Sequence, residues 1–505
     1  MSSQSKVFDV IILGAGFAGS LLGTLLSKRG MSIAVVDRDK HPRFTIGESS
    51  TPAADFLLQH IVTQFGIEEL QPLVRFGSWR KTHPEILCGC KRGFSYFDHG
   101  RSGGFEATSN HRDELLVAAS VSNEVADTQW YRADVDQFFA DVARKYGVTM
   151  MEQTEIESIR RAAPNDWRVN IQSEQGTSQL AAPMIVDATG SGRCLAKRLG
   201  IQDISDRFMT KSSAIYSHWE NLTPLTDWLA ARGAALNDYP YRAEDSAVHH
   251  LFRDGWLWHL QFANGRTSVG FVFDESESDR DVSIAQQTDW QGVLRDHPVI
   301  NEWMSDANIC AFPGKVFRTP RLQRLASVAA GEDWVAMPFT TGFIDPMHST
   351  GIAHSLSGVE RIAQILLNET NESRGDSLRH YSDTVLQEFE TIDRLVWGCY
   401  VGLRDFRLFN AWSMIYFAVV TTYERLFSQS ADRPTGFLGA DQTDIRDRVG
   451  GLTDELRSIQ ASDRIKDHSV IESFIETIRM TIQPINQVGL FDPPIQNMYH
   501  RTAAK

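Results

Sequence analysis

The sequence predicts an α/β protein: a doubly wound domain, an antiparallel-sheet domain inserted into it, and a C-terminal helical region. Three observations carry this expectation. An apolar, β-branched run at 7–13 leads straight into glycines, then a helical stretch and a second apolar run, which is the pattern of a βαβ unit. Aromatic-rich alternation at 93–97 and 248–273, broken by Asn264-Gly265, reads as antiparallel strands. Beyond about residue 355 strand signals fade, and 355–367, 380–405 and 465–482 show helical spacing.

Element by element, residues 7–13 (V-F-D-V-I-I-L) suit a buried parallel strand. Residues 20–29 read as a helix ended by Gly30, and 32–36 as a strand that stops at Asp37. A helix is expected over 134–145 and a buried strand over 182–187, followed by Ala-Thr-Gly-Ser-Gly. The nucleotide-type domain is therefore discontinuous in expectation, made of 1–90, 131–205 and 310–365. The inserted sheet domain takes 91–130 and 206–309, and the helical region 366–505. Residues 412–420 are apolar but too short to span a bilayer, so a buried helix is expected there. Residues 432–447, rich in Asp, Gly and Thr, read as a long loop, and the acidic run 274–281 as a solvated one.

A chain of 505 residues exceeds the usual limit for one core. Its 42% hydrophobic and 23% charged residues are ordinary for a globular protein. A net charge of −14 argues against a nucleic-acid surface, which needs clustered Lys and Arg. The five cysteines (Cys88, Cys90, Cys194, Cys310, Cys399) form neither a C-x-x-C motif nor a zinc-type set. Reduced thiols in a cytoplasmic protein are expected, with no signal peptide, no membrane span and no metal.

The turn Gly14-Ala15-Gly16-Phe17-Ala18-Gly19 has G-x-G-x-x-G spacing. Gly14 permits the tight turn, Gly16 lets the backbone approach a pyrophosphate, and Gly19 lets helix and strand pack closely. The helix N-terminus then faces the negative charge. Asp37, 23 residues after Gly14, stands where an acidic residue accepts hydrogen bonds from an adenosine ribose. Strand, turn, helix, strand and acid agree, which makes the reading strong, yet it does not separate FAD from NAD. On this reading the first domain is an FAD/NAD(P)-binding one.

Further motifs carry a resemblance. Val186-Asp187-Ala188-Thr189-Gly190 and Gly342-Phe343-Ile344-Asp345-Pro346 resemble the later flavin-contacting segments of the FAD-dependent monooxygenase superfamily. Gly47-Glu48-Ser49-Ser50-Thr51-Pro52 resembles the G-E-S/A-x-x-P segment of flavin-dependent halogenases. Gly255-Trp256-Leu257-Trp258-His259-Leu260-Gln261 resembles their G-W-x-W-x-I-P signature, and residues 343–352 resemble their halide loop. His41-Pro42-Arg43-Phe44 and the C-G-x-K-x-G-F-S run at 88–95 resemble the phenol-type branch, notably the phloroglucinol halogenases. The resemblance covers about residues 7–410.

The resemblance implies FAD, reduced to FADH2 by a separate flavin reductase, and chloride or bromide as co-substrate. It implies that hypohalous acid formed at the flavin reaches an electron-rich aromatic substrate under the guidance of Lys91. A homodimer is left open. The implied flavin contacts are Gly14, Gly16, Phe17, Ala18, Gly19, Asp37, Arg38, Glu48, Ser49, Asp187, Asp345, Gly351 and Ile352. Thr350 and Gly351 stand where the family's backbone amides hold halide, in keeping with the anion-binding capacity of a glycine turn; the bland alternative is a purely conformational glycine. Lys91 needs burial to lower its pKa and become a donor or nucleophile near neutrality; the alternative is a solvated surface lysine. Trp256 and Trp258, at i and i+2, face one side of a strand; they are read as a wall between flavin and substrate, against ordinary core packing.

Three segments depart from the family's pattern. Met337-Pro338 stands where many members of the superfamily have Gly-Asp, so the aspartate candidate near the flavin's ribityl chain falls to Asp345. His348 stands where tryptophan halogenases have a glutamate and phenol-type members an aromatic; a general base and a space-filling ring are equally open readings. Leu260-Gln261 replaces Ile-Pro, which puts strict halogenation in question. An FAD-dependent monooxygenase or reductase that uses no halide is the alternative enzyme. A flavoprotein that binds a partner or carrier-tethered substrate is the alternative outside catalysis.

Overall fold

The computed structural model describes residues 6–100, 104–276, 290–429 and 433–502. Five parallel strands form one sheet in the order Trp334–Ala336, Met184–Asp187, Val10–Leu13, Ile33–Val36, Thr149–Met151. Val10–Leu13 is buried along its whole length, as a strand covered on both faces must be. The helix Phe17–Lys28 lies against both Arg132–Lys145 and Gly351–Asn368, and the three join the sheet in a common core.

Residues 7–13 are not one strand. The chain changes sheets at Asp9, whose carboxylate accepts from Ser32 N and Ser32 Oγ, both at 2.7 Å. Lys6–Val7 pairs instead with Leu180 and Ala181 in a four-stranded sheet built on Glu155–Ala163, Asp166–Ser173 and Gly176–Ala182. Ala182 likewise ends that second sheet rather than starting the strand expected over 182–187. Pro183, which has no N–H to give a ladder, separates Gly176–Ala182 from Met184–Asp187.

The larger sheet runs Asn308–Ile309, Ser212–Glu220, Thr267–Asp274, Gly255–Gln261, Ala247–Phe252, Gly93–Asp98, Glu114–Ala118, Met498–Tyr499. It is antiparallel except where Ala247–Phe252 meets Gly93–Asp98 and where Met498–Tyr499 meets Leu116 and Val117. Alternation divides its faces between two cores. Phe94, Tyr96, Trp256, Trp258 and Val272 join the helices; Phe97, Val248, Leu257 and Phe271 face a second cluster around Trp228 and Trp303.

The last third is helical: Asn371–Gly402, Phe406–Gln429, Thr443–Ala461 and His468–Ile482. The apolar stretch 412–420 is inside the buried helix Phe406–Gln429. The loop expected over 432–447 ends early, because Thr443–Ala461 is helical; residue 432 lies outside the described residues. So do residues 277–281 of the acidic run. No described helix is long and apolar enough to cross a membrane. The five cysteines are free thiols.

Candidate functional site

The glycine turn closes the strand Val10–Leu13. Gly14 has φ +101°, and a Cβ there would sit 2.5 Å from Ala188 O. At Gly19 a Cβ would meet Gly14 O at 2.1 Å. Gly16 differs: its nearest neighbours would be Asp136 Oδ2 at 3.7 Å and Arg43 Nη2 at 3.9 Å. The fold itself thus demands glycine at 14 and 19, while at Gly16 the protein leaves room for a Cβ. Phe17 is buried against Trp130, and Ala18 is half-buried.

Asp37 organises this turn from within. Its Oδ2 accepts from Ala15 N at 2.7 Å and from Arg43 Nη2 at 3.1 Å, and its Oδ1 from Asp39 N at 2.9 Å. Arg38 points outward and pairs with Asp39 at 3.6 Å. Arg43 and Arg132 were not singled out from the sequence. Arg132 is held bidentate by Asp136 (2.8 and 3.0 Å) and donates to Gly47 O at 3.0 Å, so two guanidinium groups flank Gly16. Arg43 lay inside a motif noted only as a likeness, and Arg132 fell just outside the expected helix.

Glu48 is buried and bonds His218 Nε2 at 2.9 Å. Asp187 is bonded within its own segment: its oxygens accept from Thr189 N, Thr189 Oγ1 and Leu195 N at 3.0, 2.6 and 2.6 Å, which shapes the Ala-Thr-Gly-Ser-Gly turn.

Lys91 ends the strand Cys88–Lys91, which pairs with Asp127–Trp130 so that Lys91 is opposite Asp127. Its side chain is wholly buried: Nζ donates to Ser50 O and lies 4.1 Å from the Phe94 ring centroid. Burial pulls its pKa down to about 7, against the opposing pull of Asp127, Asp55 and Glu424. The neighbouring Ser49 Oγ accepts from Ser349 Oγ at 3.0 Å, which brings the Gly47–Ser50 segment against the 343–352 loop.

In that loop Ser349 has φ +52°, Thr350 is the N-cap of Gly351–Asn368, and a Cβ at Gly351 would meet nothing within 4 Å. Ile352 is buried. Asp345 is also buried and is pushed up to about 6, mainly by desolvation. It accepts from Met347 N, Ser212 Oγ and Tyr400 Oη at 3.0, 2.9 and 2.7 Å. His348 stacks on Tyr416 with centroids 4.1 Å apart and planes 5° off parallel. Burial pushes its pKa down to about 3, so the imidazole is neutral at ordinary pH.

Trp256 and Trp258 do share a face, with centroids 6.2 Å apart. Trp256 Nε1 donates to Tyr400 Oη at 3.1 Å, and Trp258 Nε1 to Ser268 Oγ at 3.1 Å. A cavity of about 260 Å³ lies beside this cluster, lined by Lys211, Trp397, Arg404 and others, and meets it at Tyr400.

A family model for tryptophan halogenase matches residues 128–404 of the 505, more than half of the chain. The chain belongs to the tryptophan halogenase family. It is a flavin-dependent halogenase, an oxidoreductase, and a Rossmann-like NAD(P)-binding domain model matches its residues 12–64. Monodechloroaminopyrrolnitrin halogenase PrnC of Pseudomonas fluorescens is 27% identical over 82% of this halogenase and 71% of its own length. Tetracycline 7-halogenase of Kitasatospora aureofaciens is 25% identical over 80% and 72%. The crystal structure of halogenase PltM with phloroglucinol and FAD has the same fold: TM-score 0.83 at 23% identity, covering 98% of this chain and 99% of that one.

Proposed function

We propose that this halogenase installs chloride or bromide on an electron-rich aromatic substrate, phenolic or indolic, with Lys91 guiding the halogenating species. One observation carries the reading: a buried amine reaches the carbonyl of Ser50, and the adjacent Ser49 touches Ser349, next to Thr350 and Gly351. The proposed halide site and the proposed guide are thus joined through a single short segment.

The residues fit a bound FAD. A Cβ at Gly16 would meet nothing closer than 3.7 Å, and one at Gly351 nothing within 4 Å. The N-terminus of Phe17–Lys28, with Arg43 and Arg132 at hand, suits a pyrophosphate. Glu48, Ser49 and Asp345 would border the remainder of the cofactor. Reduced by a separate flavin reductase, FAD with oxygen and halide supplies hypohalous acid; the sequence has no second glycine-rich βαβ unit for a nicotinamide donor. The amides at Thr350 and Gly351 hold the anion at a helix start. Trp256 and Trp258 keep the cofactor side and the substrate side apart. Lys91, a neutral or cationic amine near pH 7, would hydrogen-bond the acid while the ring carbon takes the halogen and the O–X bond breaks, or would form an N–X bond with loss of water and pass the halogen on. In either route the ring gives up a proton and the amine is restored. His348, neutral and stacked, shapes the aromatic lining with Tyr416 and is a weak base.

The test is incubation with FAD, NADH, a flavin reductase and bromide against phenols and indoles, with mass spectrometry for bromine's isotopic doublet. In Lys91→Ala, brominated product is expected to fall by about 10²–10⁴-fold while the reoxidation of FADH2 by oxygen continues. Retained bromination in that variant removes Lys91 from its role.

A further inference from the structure

Trp256 belongs to the sheet and Asp345 to the loop that leads to Thr350 and Gly351. A single hydroxyl, that of Tyr400 near the C-terminal end of Asn371–Gly402, joins them. The direction of both bonds is forced. An indole Nε1–H only donates, so Tyr400 Oη must accept from Trp256, and its one proton must go to Asp345 Oδ2. Burial and the neighbouring carboxylate raise the phenol's pKa well above its ordinary value, so the hydroxyl keeps that proton. The same Oδ2 also accepts from Ser212 Oγ, which accepts from Gln323 Nε2 at 2.7 Å, while Asp345 Oδ1 accepts from Met347 N. Tyr400 also lines the cavity of about 260 Å³.

We infer that Tyr400 is a positioning residue for halogenation: its hydroxyl locks the Trp256 wall to the Asp345 loop, and so keeps flavin oxidation coupled to halogen transfer. The inference rests on the proposed function, because it gives the wall and the loop the tasks stated there. Without the hydroxyl, Trp256 Nε1 and Asp345 each lose a buried partner, and both can shift relative to the halide site. Oxidising equivalents then leave as hydrogen peroxide instead of reaching the substrate.

The experiment uses the full chain with FAD, NADH, flavin reductase, bromide and the phenol panel, with taurine added to trap escaped hypobromous acid. Brominated product, bromotaurine and hydrogen peroxide are measured per NADH consumed. In Tyr400→Phe the halogenated fraction is expected to fall about threefold to tenfold, peroxide to rise by the missing amount, and FAD affinity to stay as in the wild type. Because unbound FADH2 also yields peroxide, the ratio is taken from single turnovers in which pre-reduced FAD is held by an excess of folded halogenase before oxygen and bromide are added. A merely structural loss then lowers the amount of competent enzyme and leaves the ratio alone. Should Tyr400→Phe not fold, Trp256→Phe breaks the same link from its other end and is expected to uncouple likewise. A wild type that brominates while a folded variant keeps its product-to-peroxide ratio overturns the inference alone. A wild type that forms neither brominated product nor bromotaurine overturns the proposed function, and the inference with it.

Discussion

At the scale of single residues, Lys91 carries a thermodynamic signature independent of catalysis. Its amine has no exposed surface, and burial lowers its pKa from an ordinary 10.5 to about 7. Between those values the unfolded chain binds the proton and the folded protein releases it, so stability rises with pH across that window. Below about pH 7 the penalty is complete and constant. Lys91→Met, similar in volume and without charge, lacks this dependence. Relative to that variant, the wild type is expected to gain up to about 1.4 kcal/mol per pH unit between pH 7 and 10. Denaturation midpoints at pH 7, 8 and 9 check this, and parallel curves for the two proteins would contradict a buried, neutralised amine. The lysine itself was legible because it sits in a contiguous motif. Its acidic surroundings were not, since Asp55, Asp127 and Glu424 come from three distant elements. Tyr400 escaped for the same reason, its partners Trp256 and Asp345 being set by tertiary contact, which local spacing does not encode. Arg43 and Arg132 have local partners in Asp37 and Asp136, and only their convergence beside Gly16 is tertiary.

At the scale of elements, the strand–turn–helix unit separates glycines required by the fold from one, Gly16, that packing does not require. Gly19→Ala would drive a methyl to 2.1 Å from the backbone oxygen of Gly14, so the helix Phe17–Lys28 must move off the strand. A loss of about 1–3 kcal/mol or more is expected, with FAD affinity falling as a consequence. Gly16→Ala meets no protein atom closer than 3.7 Å; stability is expected to stay within about 0.5 kcal/mol while FAD affinity falls about tenfold or more. Thermal melts of the cofactor-free proteins, together with flavin titrations, separate the two outcomes. Equal flavin affinity in Gly16→Ala and the wild type would place the pyrophosphate elsewhere. This unit was the most legible part of the fold, because each of its signals is local. The same locality misled at 7–13 and 182–187, where an apolar run continues across a change of sheet and only Asp9 and Pro183 mark the break.

At the scale of the whole molecule, the larger sheet draws strands from residues 93 to 499, so its two faces are completed by segments far apart in the chain. Alternation around Asn264-Gly265 announced the three consecutive strands between 247 and 274, whose pairing is hairpin-like. The edge strand Met498–Tyr499 gave no such signal, being two residues long and paired in parallel with Leu116 and Val117. Its attachment is nevertheless dense. Asn497 Nδ2 donates to His111 O at 2.9 Å, Asn410 Nδ2 donates to Asn497 Oδ1 at 2.7 Å, and Thr502 Oγ1 donates to Ala118 O at 2.7 Å. Met498 and Tyr499 are both buried. A chain ended at Gln496 uncovers the edge of Glu114–Ala118 and the apolar surface under both side chains. At about 1.5–3 kcal/mol for each large apolar side chain, a loss of roughly 3–6 kcal/mol is expected. The bared strand should also invite intermolecular pairing. Urea denaturation and light scattering of the shortened protein test this; an unchanged midpoint and a monodisperse solution would mean that the sheet is complete without its last strand.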